Sequence, residues 1–275
     1  METKTMTLKK FLATLFTLTL VFAIACGGGE PIEEYDDEDE EAEEATETSA
    51  VTPTGAAPAP TASADAATVA GAIRLDGAPP AMPNIQMGAD PTCQAQHGTP
   101  VKVQDVVTGA GGELANVFVY VKDFRGSVPP PPSAHLLDQK GCQYSPHVSG
   151  MQVGQTLEIK NSDPTLHNVH ALAKTNREFN EGQPIQGMVS KKKFDKPEVM
   201  IKFKCDVHAW MNSYMAVLPH PYFAVSGVDG SFTISGLPPG TYTLEAWHEK
   251  LGTQTQQITV GPKEAKQVSF TFKAS

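Results

Sequence analysis

The sequence predicts an all-β protein built from β-sandwiches. Three observations carry this. Short β-rich runs recur at residues 69–75, 114–121, 155–160, 197–204 and 214–218, with Val117, Val119 and Val121 alternating against Phe118 and Tyr120. Turn residues separate the runs throughout, and the 275 residues include 23 Gly and 22 Pro. No long window shows the 3.6-residue periodicity of a helix, and short strands at regular intervals with frequent turn signals read as a sandwich.

In chain order, the first segment reads as an address. Lys4, Lys9 and Lys10 precede an apolar run over 11–24 and then Ala23-Ile24-Ala25-Cys26. That run is too short to span a bilayer comfortably and has the layout of a cleavable signal peptide over 1–25. The Ala-x-Ala triplet suits ordinary signal peptidase. The cysteine after two small residues and an aliphatic one resembles a bacterial lipobox, and the favoured reading is lipidation at Cys26. The protein is then expected on the periplasmic side of a bacterial cell envelope, lipid-anchored to the membrane, with a soluble periplasmic form as the alternative.

Residues 26–66 read as a disordered tether. Residues 30–47 hold twelve acidic residues and no basic one, and a Thr/Ala/Pro/Ser spacer follows. Such composition buries too little apolar surface to offset chain entropy. The tether also explains the charge. Of 21 basic and 31 acidic residues, 3 and 14 lie before residue 66, which leaves 18 and 17 in the remainder. The body is nearly neutral, which argues against a nucleic-acid partner.

The chemistry concentrates in two stretches. Lys202 to Met211 sets a thiol, an imidazole and a thioether at Cys205-x2-His208-x2-Met211, and residues 161–170 bring His167 from a distant loop. Two His and one Cys with a weak axial Met is the ligand set of a mononuclear blue-copper site. An apolar strand ends at Cys205, and a short turn is needed to fold His208 and Met211 back around one point, because alternate strand side chains face opposite ways. Met215 and His170 compete for ligand roles. The first falls in what reads as the next strand and suits core packing; the second, three residues after His167, points to the opposite face.

These residues resemble those of the cupredoxins, and among them the amicyanins. The resemblance covers roughly 140–220 and follows Gln143-Tyr144, Val153-Gly154-Gln155-Thr156-Leu157-Glu158-Ile159-Lys160-Asn161, His167-Asn168-Val169-His170 and the Cys205-x2-His208-x2-Met211 loop. It implies a Greek-key cupredoxin sandwich holding one type 1 copper, with His167, Cys205, His208 and Met211 as ligands. It also implies that the Asn161 amide braces the Cys205 loop, and that electrons pass through an exposed His208 edge beside Ala209 and Trp210. Asp206-Val207 departs from the proline that the family commonly places before the second histidine.

Residues 223–247 restart the pattern. Asp229-Gly230 makes one hairpin turn and Pro238-Pro239-Gly240 another. The run Asp-Gly-x-Phe-x-Ile-x-Gly-Leu-Pro-x-Gly-x-Tyr resembles the carboxypeptidase regulatory-like, or prealbumin-like, β-sandwich. The expected domains are therefore a cupredoxin over 67–221 and this second sandwich over 222–275. The latter is short for its fold. Strands 69–75 and 114–121 complete either the cupredoxin or the second sandwich, and the sequence does not choose.

With Cys26 lipidated and Cys205 on copper, Cys93 and Cys142 remain, and an oxidising compartment favours a disulfide between them. A second metal site from Cys93, His97, Cys142 and His147 is the sharper alternative. His97, His135, His147, His220 and His248 are otherwise scattered, so the His clusters that catalytic copper needs are absent. Four protein ligands leave no open position. The expectation is a non-enzymatic electron carrier whose partner is a c-type cytochrome, a dehydrogenase or a terminal oxidase. A copper-binding or copper-delivery lipoprotein and a surface structural module are the alternatives.

Overall fold

A computed structural model describes residues 64–274. The expected signal peptide, Cys26 and nearly all of the expected tether lie outside the described residues. The chain is nearly all β, in the order β1 (Ala67–Asp76), α1 (Pro91–Ala95), β2 (Phe118–Val121), β3 (His135–Gln139), β4 (Tyr144–Ser145), β5 (Val148–Gln152), β6 (Leu157–Asn161), β7 (His167–Leu172), β8 (Phe179–Gln183), β9 (Val189–Lys192), β10 (Glu198–Lys204), β11 (Asn212–Leu218), β12 (Phe223–Val225), β13 (Ser231–Leu237), β14 (Gly240–His248), β15 (Gly252–Val260) and β16 (Ala265–Lys273).

Four sheets form two sandwiches. One sandwich, the insert, is a five-stranded sheet β5-β11-β10-β7-β8 facing a four-stranded sheet β4-β3-β6-β9. Their shared core includes Leu137, Leu157, Ile159, Val169, Ile201, Phe203 and Met215. The other, the host, packs β13-β1-β16 on β12-β2-β14-β15 around Val69, Ile73, Val119, Phe232, Leu244, Ile258, Phe270 and Phe272. Each buried side chain of this size contributes about 1.5–3 kcal/mol of transfer free energy.

This topology resolves the placement of the two early strands. Thr68 through Asp76 of β1 run parallel to Ala265 through Lys273 of β16, and β2 pairs antiparallel with β12 and β14. Both therefore complete the host, and the boundary expected at 67–221 gives way to a sandwich over β3–β11 inserted between β2 and β12. The physical reason lies in pairing partners. A strand's alternation fixes which face it buries, while the sheet it joins is set by complementary edges far away in sequence.

All four residues of β2 are buried, because both faces of its sheet are covered. Val119 and Val121 enter the host core. Phe118 and Tyr120 join Val148, Ala216 and Leu218 in a third apolar cluster between the sandwiches. Two phenyl rings lie against the Gly150 backbone there: a Cβ on Gly150 would meet Phe118 Cε2 at 2.6 Å and Phe223 Cε2 at 2.7 Å.

Candidate metal centre

The site sits at one end of the insert, where two loops meet: residues 162–166 between β6 and β7, and 205–211 between β10 and β11. The second loop is a closed turn. Cys205 N donates to Met211 O at 3.1 Å, Met211 N to His208 O at 2.9 Å, and His208 N to Cys205 Sγ at 3.3 Å. Hydrogen bonds that span the loop bring His208 back over the sulfur. His167 is the first residue of β7, and its ring lies 5.0 Å from that of His208.

The donor atoms converge. His167 Nδ1 lies 3.1 Å from His208 Nδ1, and Cys205 Sγ lies 3.9 Å from His208 Nδ1. One donor atom from each of the three residues falls within 4.8 Å of the other two. Metal–ligand bonds of roughly 2.0–2.3 Å require donor–donor edges of about 3–4 Å, so the three fit one ion. His167, Cys205, His208 and Met211 are 0%, 2%, 3% and 1% exposed, which closes the centre to solvent.

Both outer imidazole nitrogens are committed to carboxylates. His167 Nε2 meets Asp163 Oδ2 at 2.9 Å, and His208 Nε2 meets Asp90 Oδ2 at 3.0 Å. A carboxylate only accepts, so each Nε2 carries its proton and each Nδ1 turns inward. Carboxylate partners of this kind fix the tautomer and ring orientation of metal-binding histidines. Asp163 is itself anchored by Gly141 N and Cys142 N, at 2.8 Å and 2.7 Å.

Charges follow the same pattern in the metal-free protein. Burial would push the Cys205 thiol up, but hydrogen bonds from His167 and from the amides of His208, Asn168 and Val207 bring it below its ordinary value. Burial likewise opposes charge on His167; the bond to Asp163 and the contact with Cys205 reverse this and hold it at about 9. Asp90 is desolvated in part, yet the bonds from His208, Thr165 and the α1 amides bring it down to about 2. Both shifts favour a buried thiolate beside an imidazolium.

Two expectations are corrected. Asn161 does not brace the Cys205 loop. Its Nδ2 donates to Thr165 O at 2.9 Å and Gln183 O at 2.8 Å, and its Oδ1 accepts from Asp163 N at 2.9 Å, so it holds the His167 loop against β8. Asn168 does reach the Cys205 loop, its Oδ1 accepting from Asp206 N at 3.0 Å. The His208 edge is not exposed either, because Asp90 and Cys93 cover it; Cys93 Sγ lies 3.7 Å from His208 Nε2.

Cys93 and Cys142 form a disulfide, which removes both from the alternative metal site. His97 Nε2 bonds Gly141 O at 2.8 Å, and His147 pairs with Glu249. Met211 packs in the same apolar cluster as Cys205, as does Met215. His170 faces away and pairs with Asp206 at 3.1 Å and Glu178 at 2.6 Å. Asp90 and Asp163 escape a reading based on ligand spacing. Their local signals are those of structure: Asp90-Pro91 announces a helix start and Asp163-Pro164 a turn.

Residues 219–273 match the carboxypeptidase regulatory-like domain family, which coincides with the C-terminal strands of the host. No curated protein matches the chain. Among solved structures, the chain is similar to a copper-containing nitrite reductase from Thermus scotoductus, with 20% identity over 34% of this chain and 24% of that one and a TM-score of 0.30. It is also similar to a Cu(I) form of an amicyanin mutant, with 21% identity over 30% and 81% of the two chains and a TM-score of 0.28. A purple cupredoxin from Nitrosopumilus maritimus aligns at 22% identity over 31% and 99%, with a TM-score of 0.27. The alignment thus spans only about a quarter of the reductase. Scores this low leave the reading of the centre to its own geometry.

Proposed function

We propose that the protein would hold one type 1 copper through His167, Cys205, His208 and Met211, and that it serves as a one-electron carrier of the bacterial cell envelope. One observation carries the reading. Two Nδ1 atoms whose rings have committed their outer protons face each other 3.1 Å apart beside a cysteine sulfur. Two lone pairs at that distance repel unless something positive lies between them. In the metal-free protein the proton of His167 serves, and a metal ion takes its place.

The donor set selects the metal. Thiolate and imidazole with a thioether nearby suit copper, whereas structural zinc takes further Cys or His. When bound, copper supplies a reversible Cu(II)/Cu(I) couple. The chain's own residues supply the rest. Asp163 and Asp90 fix the imidazoles, the His208 amide donates to the sulfur, and burial excludes water. A closed centre has no place for a substrate to bind the ion, which favours a carrier over an enzyme. A c-type cytochrome, a dehydrogenase or a terminal oxidase is the proposed partner, and lipidation at Cys26 the proposed anchor.

The test is a visible spectrum of the Cu(II)-loaded protein beside the Cys205→Ser variant. An intense thiolate-to-copper band near 600 nm, lost on substitution, is the expected result. A folded protein that binds copper without the band belongs instead to copper delivery. One that binds no copper reads as a structural surface module.

A further inference from the structure

The edge of the centre nearest His208 is closed by an arm, residues 77–117, which runs between β1 and β2 and contributes no strand to either sandwich. The arm lies on the insert through Met87 and Cys93, which join its core cluster, with Ile85 and Val101 packed alongside. Its one helical turn starts at Asp90-Pro91, a capping residue followed by a proline with no amide proton to lose. Asp90 Oδ1 accepts from Thr92 N at 2.8 Å and Cys93 N at 3.3 Å. That leaves Oδ2 aimed at the insert, where Thr165 Oγ1 donates at 3.0 Å and His208 Nε2 at 3.0 Å.

We infer that Asp90 is a positioning residue of the metal centre, one that fixes the outer nitrogen of His208 and, with its arm, seals that imidazole from solvent. His208 is 3% exposed and the Asp90 side chain 20%, so the carboxylate stands between the ligand and water. The arm is held in place by the disulfide from Cys93 to Cys142. The amide of that same Cys142 is bound by Asp163, the carboxylate on the other histidine. One covalent link therefore joins the two carboxylate braces, and the two imidazoles are set relative to each other through it. A carboxylate beside copper also favours Cu(II) over Cu(I).

The effect on copper rests on the reading of the centre as type 1; the effect on the imidazole does not. The variants are Asp90→Asn, which keeps an oxygen to cap α1 but removes the charge, Asp90→Glu, and the double variant Cys93→Ser/Cys142→Ser. In the metal-free protein the His208 Nε2 proton, followed by nitrogen-15 NMR, is expected to exchange slowly in the wild type, fast in Asp90→Asn, and slowly again in Asp90→Glu. In the copper-loaded protein Asp90→Asn is expected to shift the Cu(II)/Cu(I) affinity ratio about tenfold toward Cu(I), a rise of about 59 mV in midpoint potential, and to bind Cu(II) about ten- to a hundredfold more weakly. The double variant is expected to react faster with ferricyanide once reduced, because its arm is no longer stapled. Wild-type proton exchange and an unshifted potential in Asp90→Asn overturn the inference. A wild-type protein with no blue band defeats the copper reading alone, and the proton-exchange result still decides the role of Asp90.

Discussion

His220 and His248 are buried in the host, His167 and His208 at the candidate centre of the insert, and the two pairs are handled in opposite ways. In the host, His220 and His248 are 3% and 2% exposed. His220 Nδ1 accepts from Tyr222 N at 3.2 Å, and His248 Nδ1 from Lys250 N and Leu251 N at 3.2 Å and 3.3 Å. Burial drives both down to about 4, and they are neutral packing residues. In the insert, His167 and His208 spend Nε2 on carboxylates and turn Nδ1 toward Cys205. Burial by itself silences an imidazole; burial with a carboxylate behind one nitrogen fixes which nitrogen is left to face Cys205.

The substitution expected to break this contrast most severely is Asp163→Ala. It strips His167 of its partner and also releases Gly141 N and Cys142 N. Copper affinity should fall about ten- to a hundredfold, and the metal-free protein should lose about 3–5 kcal/mol, since removing one partner of a buried pair leaves the other uncompensated. Chelator competition and thermal unfolding measure the two losses. His248→Gln, made for comparison, should leave copper affinity unchanged.

Acid sharpens the contrast. The folded-state values of His220 and His248 lie below the ordinary 6.5, so the unfolded chain binds protons that the native state refuses. Their contribution is complete above pH 6.5 and is lost as pH falls from 6.5 toward 4. Each accounts for about 3 kcal/mol. Denaturant unfolding at pH 7 and pH 4.5 should show host loosening across that window, tracked by Trp247. His220→Gln should flatten the slope; an unchanged slope would assign the loss elsewhere. The smallest effect belongs to His170→Ala. Its partners Glu178 and Asp206 are 55% and 38% exposed, and such pairs contribute about 0–1 kcal/mol. The stability change should stay within that range, with the copper band unmoved.

What sequence could show of all this depended on distance along the chain. Cys205, His208 and Met211 lie within one turn, and the strand before them announces it, so the loop could be read directly. His167 was reachable because the strand ending in Asn161 leads to it. The Cys93–Cys142 disulfide followed from assigning the other two cysteines. Asp90 acts on a ligand 118 residues away, with no local mark beyond a helix cap, and so the His208 edge was expected to be open. The same limit governed β1 and β2. Val69, Ile73, Val119 and Val121 show that one face is buried, but a parallel pairing with β16 across nearly two hundred residues leaves no trace in either strand.

That pairing also sets a timetable. Ribosomal synthesis delivers domains from the N-terminus onward, and they fold as units. By the end of β11 at Leu218 the nascent chain already holds every part of the proposed metal centre: Asp90, both halves of the disulfide, Asp163, His167, Cys205, His208 and Met211. β1 and β2 emerged earlier, yet they wait for β13, β14 and β16, the last ending at Lys273. The interrupting sandwich is complete before the one it interrupts.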